Sequence, residues 1–257
     1  MAIKLKTTEQ IARMRAAGQV VSEVLRHLGE LVRPGVTTKE LDEEAERMTL
    51  AAGGECLFKG VPGRGGPFPG SICASINEEV VHGIPGPRRI RDGDIVSIDF
   101  GIRLAGWCGD AARTFIVGDV QEKTRRLVEV TRNALAMVVD MVRPGGKWSD
   151  LAGIMQNYIE SEGFSVVREF VGHGIGADMH EDPKVPNFVS RELVANDIAL
   201  VEGIVLAVEP MVNTGSPAVE YAPDGWTVLT KDRKPSAHFE QTLAVTGDGV
   251  EVLTGDR

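Results

Sequence analysis

The stretch Ile95-Val96-Ser97-Ile98-Asp99-Phe100, read beside Val205-Leu206-Ala207-Val208-Glu209-Pro210, decides the fold. Each is an apolar run of strand character carrying one carboxylate near its end. A polar group left unpaired inside such a strand costs on the order of 2–7 kcal/mol and a charge costs more, so each carboxylate needs a partner. The two acids stand 110 residues apart, and other residues keep that spacing. Arg33-Pro34-Gly35 returns as Arg143-Pro144-Gly145, Leu41 as Leu151, Gly53 as Gly163 and Gly93 as Gly203. The chain reads as a duplication.

Outward from the strands, each half follows the same order. A first helix shows apolar spacing at Ile11, Met14, Val21, Leu25, Leu28 and Val32, and again at Leu127, Leu135, Val138 and Val142. Thr7-x-x-Gln10 forms a capping box at the start of the first helix, and Thr37-x-x-Glu40 one at the start of the next. The Pro-Gly pair ends the first helix of each half, a second helix follows, and strands come after. Helices clustered ahead of strands predict an α+β fold, its helices covering one side of a largely antiparallel sheet. The halves, about residues 1–118 and 119–257, join around a pseudo-twofold axis in a single domain, since no linker or low-complexity tract divides 1–257.

Composition narrows the function. The 257 residues are 42% hydrophobic and 25% charged, a globular balance, and the net charge of −9 disfavours a general binder of nucleic acid or anionic membranes. Cys56, Cys73 and Cys108 form no Cys-x-x-Cys pair, which suits a reduced compartment. With no signal-like or membrane-spanning apolar run, the chain reads as soluble and cytoplasmic.

The chemistry lies in a repeated series. His82-Gly83-Ile84-Pro85 precedes Asp99 and then Asp110; His173-Gly174-Ile175-Gly176 precedes Glu209 and then Glu240. Halves that fold alike bring Asp99, Asp110, Glu209 and Glu240 together, and four adjacent carboxylates cannot all stay ionised without cations. Two divalent ions balance four negative charges, and oxygen-rich ligation with an imidazole suits Mn, Fe(II), Co or Zn. Such a pair activates water and polarises a carbonyl, which is hydrolysis. Taken singly, each piece has a plainer reading. Asp99 and Asp110 can be a strand acid and a turn acid, His173 and His82 turn residues, and His180 a surface-loop residue; His27 is structural on its amphipathic helix, and His238 stays open. Cys73 and Cys108 read as packed thiols. The Gly/Pro-rich segment 60–70 is either a functional loop or a disordered one.

These residues and their contexts resemble the type I methionine aminopeptidases. Ser75-Ile76-Asn77-Glu78, Val81-His82-Gly83-Ile84-Pro85, Gly172-His173-Gly174-Ile175-Gly176, Glu209-Pro210-Met211-Val212 and Asp224-Gly225-Trp226-Thr227-Val228 carry the resemblance, which covers nearly the whole chain. It implies the pita-bread fold, with a curved antiparallel sheet, and a metal-dependent aminopeptidase that removes the N-terminal methionine of nascent polypeptides. By that similarity Asp99 chelates one ion, Asp110 and Glu240 bridge both, and His173 and Glu209 complete the other. Glu209 also shuttles a proton, His180 steadies the scissile carbonyl and His82 contacts the scissile amide nitrogen. Cys73, Phe68, Met179 and Trp226 are the candidates for the methionine pocket, and Asn77 and Ser236 resemble positions that hold a monovalent cation. The ribosome is an implied partner, and a monomer is expected. Two departures stand out: a longer Gly/Pro-rich loop between Cys56 and Cys73, and Met179 where the family commonly has an aromatic.

Two rival functions share this pattern. A proline-specific peptidase has the same metal set, and an inactive pita-bread module serves only as a binding surface. Xaa-Pro cleavage marks the first, and absence of turnover under every candidate metal the second.

Overall fold

The computed structural model of the chain describes residues 3–255. Its outer layer is four helices, α1 (Thr8–Leu31) and α2 (Thr38–Ala51) in the first half, α3 (Glu122–Met141) and α4 (Trp148–Ser161) in the second. The repeat holds residue for residue, since α2 and α4 begin and end 110 positions apart. Gly35 and Gly145 close the loops after α1 and α3 at φ 93° and 85°, left-handed values that favour glycine. Their amides donate to the carbonyls of Ile90 and Leu200, again equivalent residues, at 2.8 and 2.7 Å.

Both expected capping boxes form: Thr7 and Thr37 accept from the amides of Gln10 and Glu40, whose side chains return the bond. The second half solves the same problem differently. Lys147 caps nothing with its side chain, and Asp197 instead accepts the Ser149 amide at 3.0 Å from a distant loop. An imported carboxylate there satisfies a free amide and meets the positive end of the helix.

The strands pair antiparallel among the described residues and fall into four sheets rather than one. The first half's hairpin, Ile95–Leu104 with Trp107–Ile116, is continuous over ten pairs. Its counterpart breaks, because Val205–Val208 stops before Glu209-Pro210 and the chain resumes as Met211–Asn213 in another ladder. Proline cannot donate to a ladder, so the break falls where the sequence puts it. The excursion that follows includes Val219–Tyr221 and Val228–Thr230, and the latter pairs with Glu79–Val81 of the first half. It clasps the two halves together and carries Trp226.

At the pseudo-twofold axis the halves meet in a single bridge between Ala112 and Glu240. Glu240 donates its amide to Ala112 at 2.9 Å. Two buried threonines extend this seam: Thr242 bonds the main chain of Asp110, and Thr114 that of His238. Under each half lies a separate apolar core. Leu25, Leu41, Ile98 and Phe100 belong to the first, and Leu127, Leu135, Trp148 and Val208 to the second. Helix α1 lies so close to the hairpin that a Cβ on Gly109 would come within 2.8 Å of the Gly18 amide.

Register corrects one expectation. His173 lies opposite Ala207, whose equivalent Ser97 lies opposite Ser75. The counterpart of His173 is therefore Ser75, not His82. His82 enters instead from a turn after Glu79–Val81, at φ 58°.

Candidate metal centre and its pocket

Three strands and two strand ends bring five side chains to a common centre: Asp99, Asp110 and His173 lie within strands, Glu209 follows the end of Val205–Val208, and Glu240 sits in the isolated bridge before Gln241. Asp99 faces Ala112 and Asp110 faces Gly101 across the hairpin, so the two acids are diagonal neighbours on one face. Across the seam, Glu240 faces Ala112 and stands diagonal to Asp110. Glu209 lies one step beyond the Val208–Gln241 pair, next to Glu240. His173, opposite Ala207, is diagonal to Glu209. The lateral order is Asp99, Asp110, Glu240, Glu209, His173.

The ligand atoms of Asp110, His173 and Glu240 all lie within 4.8 Å of one another, and all three residues are buried. His173 Nε2 stands 3.7 Å from both Asp110 Oδ2 and Glu209 Oε1, too far for hydrogen bonds. Its Nδ1 lies 2.9 Å from the Gly174 carbonyl. A carbonyl only accepts, so the proton sits on Nδ1 and the Nε2 lone pair faces the carboxylates. Asp99 Oδ1, Asp110 Oδ1 and Glu240 Oε1 are buried without a hydrogen-bond partner. Burial raises the Asp110 carboxyl to about 7. Burial, then the neighbouring carboxylates, pushes Asp99, Glu209 and Glu240 well above the ordinary range. Burial and then the nearby His180 lower His173 to about 4, favouring the neutral ligand form. Orphaned acid oxygens and a neutral imidazole turned toward them are a donor set that fits divalent cations.

Two adjoining cavities, of about 280 and 490 Å³, open on the centre and share His82, Asp99, His173, His180 and Glu209. The smaller is walled by Phe58, Phe68, Cys73, Met179 and Trp226, with Phe68 edge-on to Trp226 at 5.1 Å between ring centroids. The sequence-derived pocket residues thus meet in one wall. The segment 60–70 is part of it: Gly60 donates to Phe68 and Phe68 to Val61, each at 2.8 Å, closing the loop on itself. Trp226 Nε1 donates to Gly66, and Gly63 passes so close that a Cβ there would fall 2.2 Å from the indole ring.

His82 lies edge-on to Phe170 at 5.5 Å, and burial lowers its imidazole to about 4. His180 is exposed at the rim, its ring centroid 4.4 Å from that of His173. Asn77 and Ser236 also meet, the Ser236 amide donating to the Asn77 carbonyl at 2.8 Å. His27 bonds Glu44 at 2.8 Å on the helical layer, and Cys108 Sγ lies against the Ala177 carbonyl, two residues before Asp110 on the same strand.

Residues 12–247 match metallopeptidase family M24. The chain belongs to that family, in its methionine aminopeptidase branch. Methionine aminopeptidase 1 of Bacillus subtilis is 46% identical over 249 residues, covering 97% of this chain and 98% of that one. Methionine aminopeptidase of Clostridium perfringens is 46% identical over 252 residues, covering 98% of each. The crystal structure of methionine aminopeptidase from Rickettsia prowazekii superposes with a TM-score of 0.93 at 39% identity, covering 99% of this chain and 100% of that one. The fold is thus the pita-bread fold of these M24 metallopeptidases.

Some site residues carry no readable signal. Phe58 and Leu57 line the smaller cavity and Phe170 packs on His82, yet none sits in a motif. Phe58 announces itself only as an apolar residue leading into the Gly/Pro-rich loop. The buried pair Lys6–Glu181, 2.6 Å apart beside His180, joins residues too distant in sequence to be paired by spacing.

Proposed function

We propose that the chain removes the N-terminal methionine from polypeptides by metal-dependent hydrolysis of the first peptide bond. One observation carries this reading: the side chains of Asp99, Asp110, Glu240, Glu209 and His173 adjoin one another beside a cavity walled by Phe58, Phe68, Cys73, Met179 and Trp226, a lining that suits a thioether. Asp99 would hold one divalent ion, Asp110 and Glu240 would be shared, and His173 with Glu209 would hold the other; Mn, Fe(II), Co and Zn all suit these donors. The chemistry supplied by ions in such a set is activation of water near neutral pH and polarisation of a carbonyl.

The chain's own residues do the rest. Glu209, a carboxyl of raised proton affinity, takes a proton from the attacking water and returns it to the leaving amine. His180 at the rim donates to the scissile carbonyl oxygen, and His82 reaches the scissile amide nitrogen. Phe58, Phe68, Cys73, Met179 and Trp226 enclose the methionine side chain. The acidic end of the pocket receives the free α-amine, which restricts cleavage to the chain end. The larger cavity, with Phe170 and Lys184 on its wall, takes the following residues.

The whole chain acts as one catalytic domain of two halves. Asn77 and Ser236 hold a monovalent cation through main-chain oxygens. The substrates are nascent chains met at the ribosome in the cytoplasm, by a monomeric enzyme; no helix among the described residues is long and apolar enough to cross a membrane. The test is a comparison of a Met-Gly-Met peptide with an Xaa-Pro peptide after metal removal and reloading with Mn, Co, Fe(II) or Zn. Release of methionine alone supports the reading. Preference for Xaa-Pro, or no turnover with any metal, overturns it.

A further inference from the structure

His238 is a buried imidazole that the chemistry above leaves unused. It is 1% exposed and lies on the strand Ser236–His238 at the seam. Its main chain is fixed on both sides, the amide donating to Thr114 Oγ1 at 2.9 Å and the carbonyl accepting from that hydroxyl at 2.8 Å. Its ring nitrogen Nε2 has no hydrogen-bond partner. That nitrogen stands 3.7 Å from Glu209 Oε2, while Glu209 Oε1 stands 3.7 Å from His173 Nε2. The two oxygens of one carboxylate therefore have different neighbours: one faces His173, the other a buried ring nitrogen without a hydrogen-bond partner.

We propose that His238 is a positioning residue for Glu209, its Nε2–H donating to Oε2 so that Oε1 stays turned toward the His173 side. The proton assignment follows from chemistry. With Glu209 ionised, as a carboxylate holding a cation must be, a ring lone pair aimed at its oxygen sets two acceptors against each other, whereas an N–H there satisfies both. Closing the gap to about 2.9 Å takes a shift of roughly 0.8 Å, within reach of the terminal torsion of a glutamate. A carboxylate held at one oxygen loses that torsional freedom, which fixes the oxygen that must bind or carry a proton. Because the ring hangs from the strand segment that also presents Glu240, the seam sets both acids at once.

The inference rests on Glu209 being both ligand and proton carrier. Metal-free wild type, H238A, H238Q and E209Q are titrated with Mn(II) by calorimetry, and kcat and KM are measured on a Met-Gly-Met peptide. The absorption spectrum of each Co(II)-loaded protein reports ligand geometry. H238A loses about 10- to 100-fold in Mn(II) affinity or kcat, with little change in KM, and its Co(II) spectrum shifts. H238Q, whose amide supplies a donor, recovers affinity and kcat to within about threefold and restores the spectrum. If H238A does not fold, H238L fills the space without a donor and takes its place. Wild-type affinity, kcat and spectrum in the donor-less variant overturn the proposal, as does an H238Q no better than H238A. If wild type does not cleave the peptide, the functional reading fails, and the calorimetry and spectra still decide the role of His238.

Discussion

Thr242 donates its hydroxyl to the Asp110 carbonyl at 2.8 Å and accepts the Asp110 amide at 3.3 Å, so one side chain from the second half completes the backbone bonding of an acid in the first. Thr114 does the same for His238 in the opposite sense. Hydroxyls stand in for a ladder there because the halves meet at this seam in the isolated bridge of Ala112 with Glu240, Glu240 lying between the strands Ser236–His238 and Gln241–Thr246.

Thr242→Val keeps the shape and removes the bonds. Two buried main-chain groups of Asp110 are left unpaired, at a cost of about 1–3 kcal/mol. Urea unfolding of the metal-free protein measures it; an unchanged midpoint would show that the seam does not depend on this hydroxyl.

Lys6 and Glu181 form a pair whose side chains are 4% and 3% exposed, and Lys6 also donates to the Lys4 carbonyl at 2.7 Å. Lys6→Met leaves the buried Glu181 carboxylate with only Lys4 at 3.9 Å and the Asp178 amide at 3.4 Å, and is expected to destabilise the fold by about 1–3 kcal/mol, whereas Lys6→Met with Glu181→Leu recovers most of the loss. The double variant is still expected to turn over about tenfold more slowly, because the pair anchors the segment that carries His180. Equal turnover in the stable double variant rejects that anchoring role.

Asp110→Asn removes a shared negative ligand and is expected to abolish turnover and weaken ion uptake. His82→Ala is expected to lower kcat by about 10²–10³ while ion uptake persists. Metal content by elemental analysis separates the two, and a lost ion in the His82 variant would make that residue a ligand.

Metal-free protein is expected to lose thermal stability as pH rises above 6.5. Burial raises Asp110 to about 7 in the fold against an ordinary 3.8, and burial with the neighbouring carboxylates raises Asp99, Glu209 and Glu240 well above their ordinary values. Acids with raised values contribute stability that is full below their unfolded range and lost as pH climbs through the folded one. His82 and His173, near 4, and His238, near 3, act oppositely, but only up to their ordinary 6.5. Above 6.5 the histidine contribution fades as the unfolded imidazoles lose their protons, and the carboxyls dominate. Melting curves from pH 6.5 to 8 with a chelator should fall, and saturating Mn(II) should cancel the fall, because the ion replaces the protons. A flat chelated profile contradicts this account.

Gly63→Ala places a methyl against the rigid indole of Trp226, so the pocket wall shifts. KM for a methionine substrate is expected to rise about tenfold, with kcat changed less. Steady-state kinetics on methionyl and norleucyl peptides decide whether the loop shapes the pocket or only covers it.

Much of the fold was legible because duplication repeats physical necessities at one spacing. Breakers, left-handed glycines and strand acids recur together, so the helices and the four carboxylates could be placed before any coordinates. The pairing of His82 with His173 misled, because both precede a strand acid while only one lies in the ladder. Asp197 was invisible as a helix cap, and Phe58 as a pocket wall, since neither sits near its partner in the chain.

By itself the sequence determined which groups are costly to bury alone, namely Asp99, Asp110, Glu209 and Glu240, since desolvated charge is costly wherever it lies. Only the tertiary structure decided which side chains stand next to one another. Register across the seam, the break at Pro210 and the 3.7 Å approach of His238 to Glu209 depend on contacts between residues far apart in the chain, and local propensity carries no information about those.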